Sequence, residues 1–215
     1  MSFVIAVDGP AASGKGTVAQ RLAEIYGLPY LDTGLLYRAV GVSLIEDGLS
    51  LDDPEAATAA AQLLSLAQIE VMDLRGRMAG EAASRVAVHP GVRAALLELQ
   101  LAFARQPGGA VLDGRDIGTV IAPDAEVKIY VTASAEVRAT RRWKQLAGLG
   151  ETVAYEDVLA DIRKRDERDS GRGAAPMTLA EGAELLDTTL MDIEAATDAA
   201  RRIVEAARAT GSQGL

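Results

Sequence analysis

Phe3-Val4-Ile5-Ala6-Val7-Asp8-Gly9-Pro10-Ala11-Ala12-Ser13-Gly14-Lys15-Gly16-Thr17 carries an apolar run into a glycine-rich turn, and an amphipathic helical pattern follows. Five apolar residues in a row suit a strand buried on both faces, as in a parallel sheet. A strand that feeds a tight turn and then a helix leaves several backbone N–H groups without intrahelical partners. They converge near the positive end of the helix dipole, where an anionic phosphate fits. Gly9 and Gly14 let the main chain approach that ligand closely, Lys15 reaches the β- and γ-phosphates, and Thr17 offers a hydroxyl to Mg²⁺. In one respect the spacing is unusual: Gly16 stands between the lysine and the hydroxyl residue.

Beyond this loop the apolar periodicity alternates between helix and strand. Val18, Leu22, Ile25 and Tyr26 form one helical face that Gly27 ends, and Asp32-Thr33 opens a second helix running to about Glu46. Asp52-Asp53-Pro54 starts an Ala-rich helix reaching about Leu66, whereas Gln68–Met72 and Arg77–Ala79 read as short strands. His89-Pro90 precedes a long helix with Val92, Leu96, Leu99 and Phe103 on one face, and His89, the only histidine, reads as structural there. Buried strands at Ala110–Leu112 and Val127–Val131, a strand at Glu184–Asp187 and a closing helix from about Asp192 to Ala209 complete a βαβ pattern; Thr210-Gly211-Ser212-Gln213-Gly214-Leu215 reads as a loose tail. The expected fold is α/β, three layers around a central parallel sheet, without internal repeats or a linker.

Composition bounds the function. At 215 residues, 49% hydrophobic and 25% charged, the chain can build a full core. Without Cys there is no disulfide, thiol catalysis or thiolate metal site, so any metal is expected on oxygen ligands and phosphates. No basic segment followed by a long apolar stretch is present; neither signal peptide nor membrane span is expected, and the cytoplasm is the expected location. A net charge of −9 argues against a broad nucleic-acid-binding face. Yet 18 of the 22 basic residues are Arg, whose planar fork suits a small, highly charged ligand.

Two further constellations carry chemistry. Val111-Leu112-Asp113-Gly114-Arg115-Asp116-Ile117-Gly118-Thr119 ends a buried strand with a carboxylate, Asp113, suited to hold hydrated Mg²⁺ beside the phosphate loop. Arg115 and Asp116 then project at the carboxyl ends of the strands, where open α/β sheets place their ligands. In Asp161–Arg172, five cations and four carboxylates fall within twelve residues. Helical spacing puts Arg165, Arg168, Asp169 and Arg172 on one face, able to close over a polyanion, and residues 166–176 read as a mobile lid segment. Alternating charge equally describes a solvated helix face. Arg138, Arg141 and Arg142 form a similar cluster, equally open to both readings.

Asp8–Thr17, Tyr30–Arg38, Ala83–Ala87 with Pro90–Arg93, Asp113–Val120 and Arg165–Arg172, in this order and over most of the chain, resemble the bacterial cytidylate (CMP) kinase family. The resemblance implies a nucleoside monophosphate kinase fold of the P-loop NTPase type, with an acceptor-binding insert and a mobile lid. It divides one kinase domain into a core at about 1–36, 90–145 and 180–215, an insert at about 37–89 and a lid at about 146–179. Implied are transfer of the γ-phosphoryl of ATP to CMP or dCMP with Mg²⁺, and a monomer. By resemblance, Gly9, Pro10, Ala11, Ala12, Ser13, Gly14, Lys15, Gly16 and Thr17 cradle the donor phosphates, and Lys15 follows them through the reaction. Arg38, Arg93 and Arg115 correspond to arginines that grip the acceptor phosphate. Thr33 and Tyr37 fall in the matching acceptor-side stretch. Ser84, Arg93 and Asp116 correspond to residues around the cytosine, and Asp169 with Arg165 to the pair at the pentose. Arg168 and Arg172 correspond to lid cations over the transferring phosphate. The sequence does not divide the duties of Arg115 and Arg165.

Between Ile69 and Ala83 the family usually carries a longer insert with antiparallel strands, so a reduced acceptor-side sheet is expected here. Two other readings are a same-fold kinase for UMP, AMP or a small metabolite, and a nucleotide-hydrolysing switch. The Asn-Lys-x-Asp element usual in guanine switches is absent from the sequence.

Overall fold

A computed structural model of the chain describes residues 3–171, 173 and 175–211. Among the described residues, five parallel strands form one sheet in the order β2-β3-β1-β4-β5: β1 Phe3–Asp8, β2 Tyr30–Asp32, β3 Gly109–Gly114, β4 Val127–Thr132 and β5 Glu184–Asp187. β1 lies at the centre because both of its faces are apolar. Ile5 and Val7 pack with α1 (Lys15–Tyr26) and α9 (Ile193–Gly211), while Val4 and Ala6 face α6 (Pro90–Ala104) and a π-helical turn at Ile117–Ile121. The chain leaves β1 towards one side of the sheet and β3 towards the other, which opens a crevice above their carboxyl ends. In register there stand Asp8 opposite Gly114 and Asp32 opposite Asp113.

Local chemistry sets the helix boundaries. Gly27, left-handed at φ 63°, caps α1, and the Leu28 N–H donates back to the Ala23 carbonyl at 2.9 Å. Asp32 caps α2 (Thr33–Glu46) by accepting from Gly34 N. Asp53 caps α3 (Pro54–Leu63), with Pro54 in the first helical position. This helix stops three residues short of the expected end. His89 is structural, its Nε2 lying 2.9 Å from the Leu51 carbonyl at the start of α6.

The two short strands expected after α3 are helices instead, α4 (Leu66–Val71) and α5 (Arg77–Val86). The alternation at Gln68–Met72 has no neighbouring strand to pair with; Ile69 instead packs on the α2 cluster and Val71 is left 85% exposed. In α5, Ala79, Gly80, Ala82, Ala83, Ser84 and Val86 are buried, and the helix lies so close to α2 that a Cβ on Gly41 would stand 2.6 Å from that of Ala82. Helices thus take the place of the reduced sheet expected there. The remaining elements are α7 (Ala135–Gly148), capped by Ser134, and α8 (Tyr155–Gly171). α8 carries through Gly171, so residues 166–171 are helix, not a segment following one; Asp169 is buried and Arg172 lies outside the described residues. The expected tail beyond residue 211 lies outside them too; Thr210 and Gly211 belong to α9.

Candidate active site

The phosphate loop is shaped by three left-handed residues. At Gly9, φ is 147° and a Cβ would lie 2.0 Å from the Val131 carbonyl oxygen of β4, so no other residue fits. Ala12 at φ 60° and Gly14 at φ 92° complete the turn, and Gly14 caps α1 with no side-chain acceptor. The amides at the helix start are left to an anion. The outer side of the loop is fastened by arginines. Arg141 Nη1 and the Thr188 hydroxyl both donate to the Ser13 carbonyl, at 3.1 and 2.9 Å, and Arg138 Nη1 donates to the Ala11 carbonyl at 3.3 Å. The fully buried Ser13 hydroxyl has no hydrogen-bond partner among the described residues.

Asp113, from the end of β3, faces this loop. Its Oδ2 lies 3.5 Å from Lys15 Nζ, Oδ1 accepts from the Tyr30 hydroxyl at 2.7 Å, and its carbonyl accepts from Thr33 Oγ1 at 2.8 Å. Burial, with the Asp32 charge adding to it, pushes the Asp113 carboxyl up to about 6. Burial, reinforced by Arg115, pulls the Lys15 ammonium below its usual range. Thr17 is not brought to Asp113. Gly16 faces that carboxylate, 3.7 Å from its would-be Cβ, and Thr17 lies exposed on another side of α1. The physical reason is the helix itself: one inserted residue turns the hydroxyl by about 100°.

Across the crevice, Lys15, Arg38, Arg115, Arg142 and Arg165 line a cavity of about 150 Å³ that Asp32 also borders. They come from five separate places: α1, α2, the turn after β3, α7 and α8. Burial, with other arginines adding to it, lowers the Arg165 guanidinium to about 9 and that of Arg142 to about 10. Arg38 is also lowered by burial, while it donates to the Leu74 carbonyl at 2.6 Å. For Arg115 burial acts downward too, but the Asp169 carboxylate, at 2.8 Å from its Nε, together with the charges of Asp113 and Asp32, raises it overall. The buried Arg165 Nε has no hydrogen-bond partner among the described residues. Cations that depress one another, with an unpartnered Ser13 hydroxyl and an Arg165 Nε that meets Asp169 Oδ2 only at 3.8 Å, fit a site completed by polyphosphate.

Behind this cavity lies a smaller one of about 40 Å³, bordered by Thr33, Tyr37, Ser84, Arg93, Asp116 and Asp169, with Arg115 and Arg165 shared between the two. Arg93 and Asp116 form a short ion pair, and the Arg93 guanidinium stands 5.7 Å from the centre of the Tyr37 ring. The structure therefore brings the predicted acceptor-side residues together. Arg168 departs from expectation. It donates to the Ser84 hydroxyl at 2.5 Å and pairs with Glu81 at 3.0 Å, and it borders neither cavity. Arg142 faces the larger cavity from α7, where the sequence showed only an ambiguous arginine cluster. On the other side of the loop, Gly14, Thr17, Arg141, Gln145, Thr188 and Met191 border a cleft of about 620 Å³. Thr188 and Met191 follow the short β5 in a stretch without any motif; beyond the loop's own Gly14 and Thr17, only Arg141 had a sequence signal.

Arginines buried opposite a phosphate loop suit the passing of a phosphoryl group between two anions, since they neutralise both at once and enclose the transfer. The molecule is by class a phosphate-loop phosphotransferase. Its family follows from comparison: the family model described as cytidylate kinase matches residues 5–207, and the chain belongs to that family. It is 68% identical over 209 residues to a cytidylate kinase of Caulobacter vibrioides (strain NA1000 / CB15N), covering 97% of this chain and 98% of the relative. A cytidylate kinase of Xanthobacter autotrophicus (strain ATCC BAA-1158 / Py2) is 64% identical, with 96% and 99% covered. Among solved structures, a gluconokinase from Sinorhizobium meliloti 1021 superposes with a TM-score of 0.53 at 14% identity, over 99% of this chain and 98% of the other. That likeness concerns the fold alone.

Proposed function

We propose that this protein transfers the γ-phosphoryl group of ATP to CMP and dCMP. The observation that carries the reading is the buried cationic cavity lying between a phosphate loop and a pocket bordered by Ser84, Arg93 and Asp116. Cytosine offers an exocyclic amine that a carboxylate accepts from, and ring acceptors that a guanidinium donates to. Asp116 and Arg93 supply that pair, and uracil reverses the pattern at the amine position. The full-length likeness to cytidylate kinases supports the same reading.

Donor phosphates lie in the loop of residues 9–17, on its free backbone N–H groups, with the adenosine directed into the cleft beside Arg141 and Thr188. Lys15 moves with the transferring group. Arg38 and Arg115 hold the acceptor phosphate, whose oxygen attacks in line; no general base is required of the protein. Arg165 and Arg142 neutralise charge spread over the equatorial oxygens, and Asp169 orients Arg115 and Arg165 and meets the pentose. Arg168 and Arg172 complete the lid. Asp113 would hold hydrated Mg²⁺ through its carboxylate, and the ion would supply charge neutralisation to the donor phosphates. Thr17 points away from Asp113 and is assigned to the donor side. We read the chain as one kinase domain with a core at about 1–36, 90–145 and 180–215, an insert at about 37–89 and a lid at about 146–179. We also read the protein as a cytoplasmic monomer that binds neither nucleic acid nor membrane. A net charge of −9 speaks against a nucleic-acid-binding face, and no helix among the described residues is long and apolar enough to span a membrane.

The test is ADP release with Mg-ATP and CMP, dCMP, UMP, AMP or no acceptor, with Lys15→Ala as the blank. Rapid turnover confined to CMP and dCMP is expected. Preference for another acceptor overturns the substrate, and ADP release without acceptor overturns the reaction.

A further inference from the structure

Asp8 ends the central strand just before the phosphate loop, and its side chain is bonded to the turn that follows β3. Though only 4% exposed, it is fully occupied: Oδ1 accepts from the Ile117 N–H and Oδ2 from the Gly118 N–H, both at 2.8 Å. These are the leading amides of the π-helical turn, whose own cap, Asp116, makes no side-chain capping bond. The cap is thus supplied from 109 residues away. Asp116 needs its side chain elsewhere, in the ion pair with Arg93, and adopts an irregular backbone at φ −147°, ψ 26°. Arg115, one residue earlier, is aimed in another direction, at Asp169 and the cationic cavity.

We propose that Asp8 is a positioning residue for the acceptor nucleotide: by clasping Ile117 and Gly118 it fixes the backbone that aims Arg115 and Asp116. This rests on the assignment of Arg115 and Asp116 to the acceptor. A carboxylate is required because it alone among the side chains of this size accepts two diverging amides through two equivalent oxygens. Burying it is unfavourable, and burial does raise the Asp8 carboxyl to about 6 despite both amides. A residue that only filled space would be apolar at this depth.

The experiment measures KM for CMP and for ATP separately in Asp8→Asn, Gly118→Ala and Asp116→Ala. The asparagine turns one N–H towards an amide that needs an acceptor. Losing one charge-assisted bond predicts a rise in KM for CMP of roughly 5- to 20-fold, with KM for ATP changed by less than about twofold. Gly118→Ala approaches the clasp from the other end, since its Cβ would stand 3.4 Å from Asp8 Oδ2 and 3.1 Å from the Ala180 Cβ, and predicts the same selective effect. In the unaltered enzyme, CMP alone should deepen exchange protection of the Ile117 and Gly118 amides and ATP alone should not, a readout that stands even if neither variant folds. Equal rises in both KM values, no rise in either, or equal protection by the two nucleotides would overturn the inference. If Asp116→Ala leaves KM for CMP unchanged, the site assignment fails first; if it raises that KM while Asp8→Asn does not, only the positioning role fails.

Discussion

Lys15 is buried beside Asp113 and Arg115, and its proton is held less firmly than a solvated lysine's, so its charge acts at close range on the migrating phosphoryl group. Lys15→Ala should lower kcat by roughly 100-fold or more while both nucleotides still bind, in the range for removing a preorganised transition-state contact. Single-turnover kinetics with calorimetric binding would check this, and an unchanged kcat would remove Lys15 from the mechanism. Arg38 is different in kind, since it reaches the cavity from α2 while tied to the Leu74 carbonyl. Arg38→Ala should weaken CMP by about 1.5 to 3 kcal/mol with ATP little affected. A rise in KM for ATP with CMP unmoved would reverse the assignment of sides. Residue identity announced both cations. It misplaced Thr17, because one inserted glycine turns a helix position through an angle that spacing along the chain does not reveal.

Charged and polar contacts to α8 and the segment before it join the acceptor-side helix α5 to the far wall of the cavity. Arg77 pairs with Asp161 at 2.7 Å, its N–H meets Glu151 at 3.0 Å, Arg165 donates to the Gly80 carbonyl at 3.3 Å, and Arg168 pairs with Glu81. The outer pairs are half-exposed and individually weak, so bound nucleotides should add much of the closing force. Amides of residues 77–86 and 155–171 should therefore gain exchange protection when both nucleotides are present; identical protection with and without ligand would argue against closure. The α2–α5 contact has no such latitude. Gly41→Ala places a methyl 2.6 Å from the Ala82 Cβ and should destabilise by about 1 to 3 kcal/mol, lowering Tm by several degrees in a thermal melt. Of these elements, α2 was legible through its Asp-Thr start. In α5, Arg77–Ala79 reads as a strand because three residues are too few to show a helical period; packing of Ala79, Ala82 and Val86 on α2 fixes the helix.

Across the whole molecule, the fold holds Asp8 at the end of β1, where burial raises its carboxyl from 3.8 to about 6. The unfolded chain releases this proton near 3.8, so between there and about 6 the folded state binds more protons than the unfolded state. Its contribution to stability is complete below 3.8 and is lost as pH rises through about 6, a difference of about 3 kcal/mol at 1.36 kcal/mol per pKa unit. Denaturant melts over this range should show the protein losing up to that amount of stability relative to Asp8→Asn as pH rises from below 3.8 to above 6; parallel curves would show that Asp8 does not titrate there. By itself the sequence determined the parallel strands with continuous apolar runs, the phosphate loop, the capped helices and the residue types of the site, because each is encoded within a few neighbouring positions. The tertiary structure alone decided that β2 inserts its three residues beside β3, that α5 is helical, that Gly16 rather than Thr17 meets Asp113, that Arg168 sits on Ser84 and Glu81 while Arg142 faces the cavity, and that Asp8 caps a turn more than one hundred residues away. The reason is range: such choices are made by buried charges and close backbone contacts between distant segments, whose energies exist only once the sheet has brought them together.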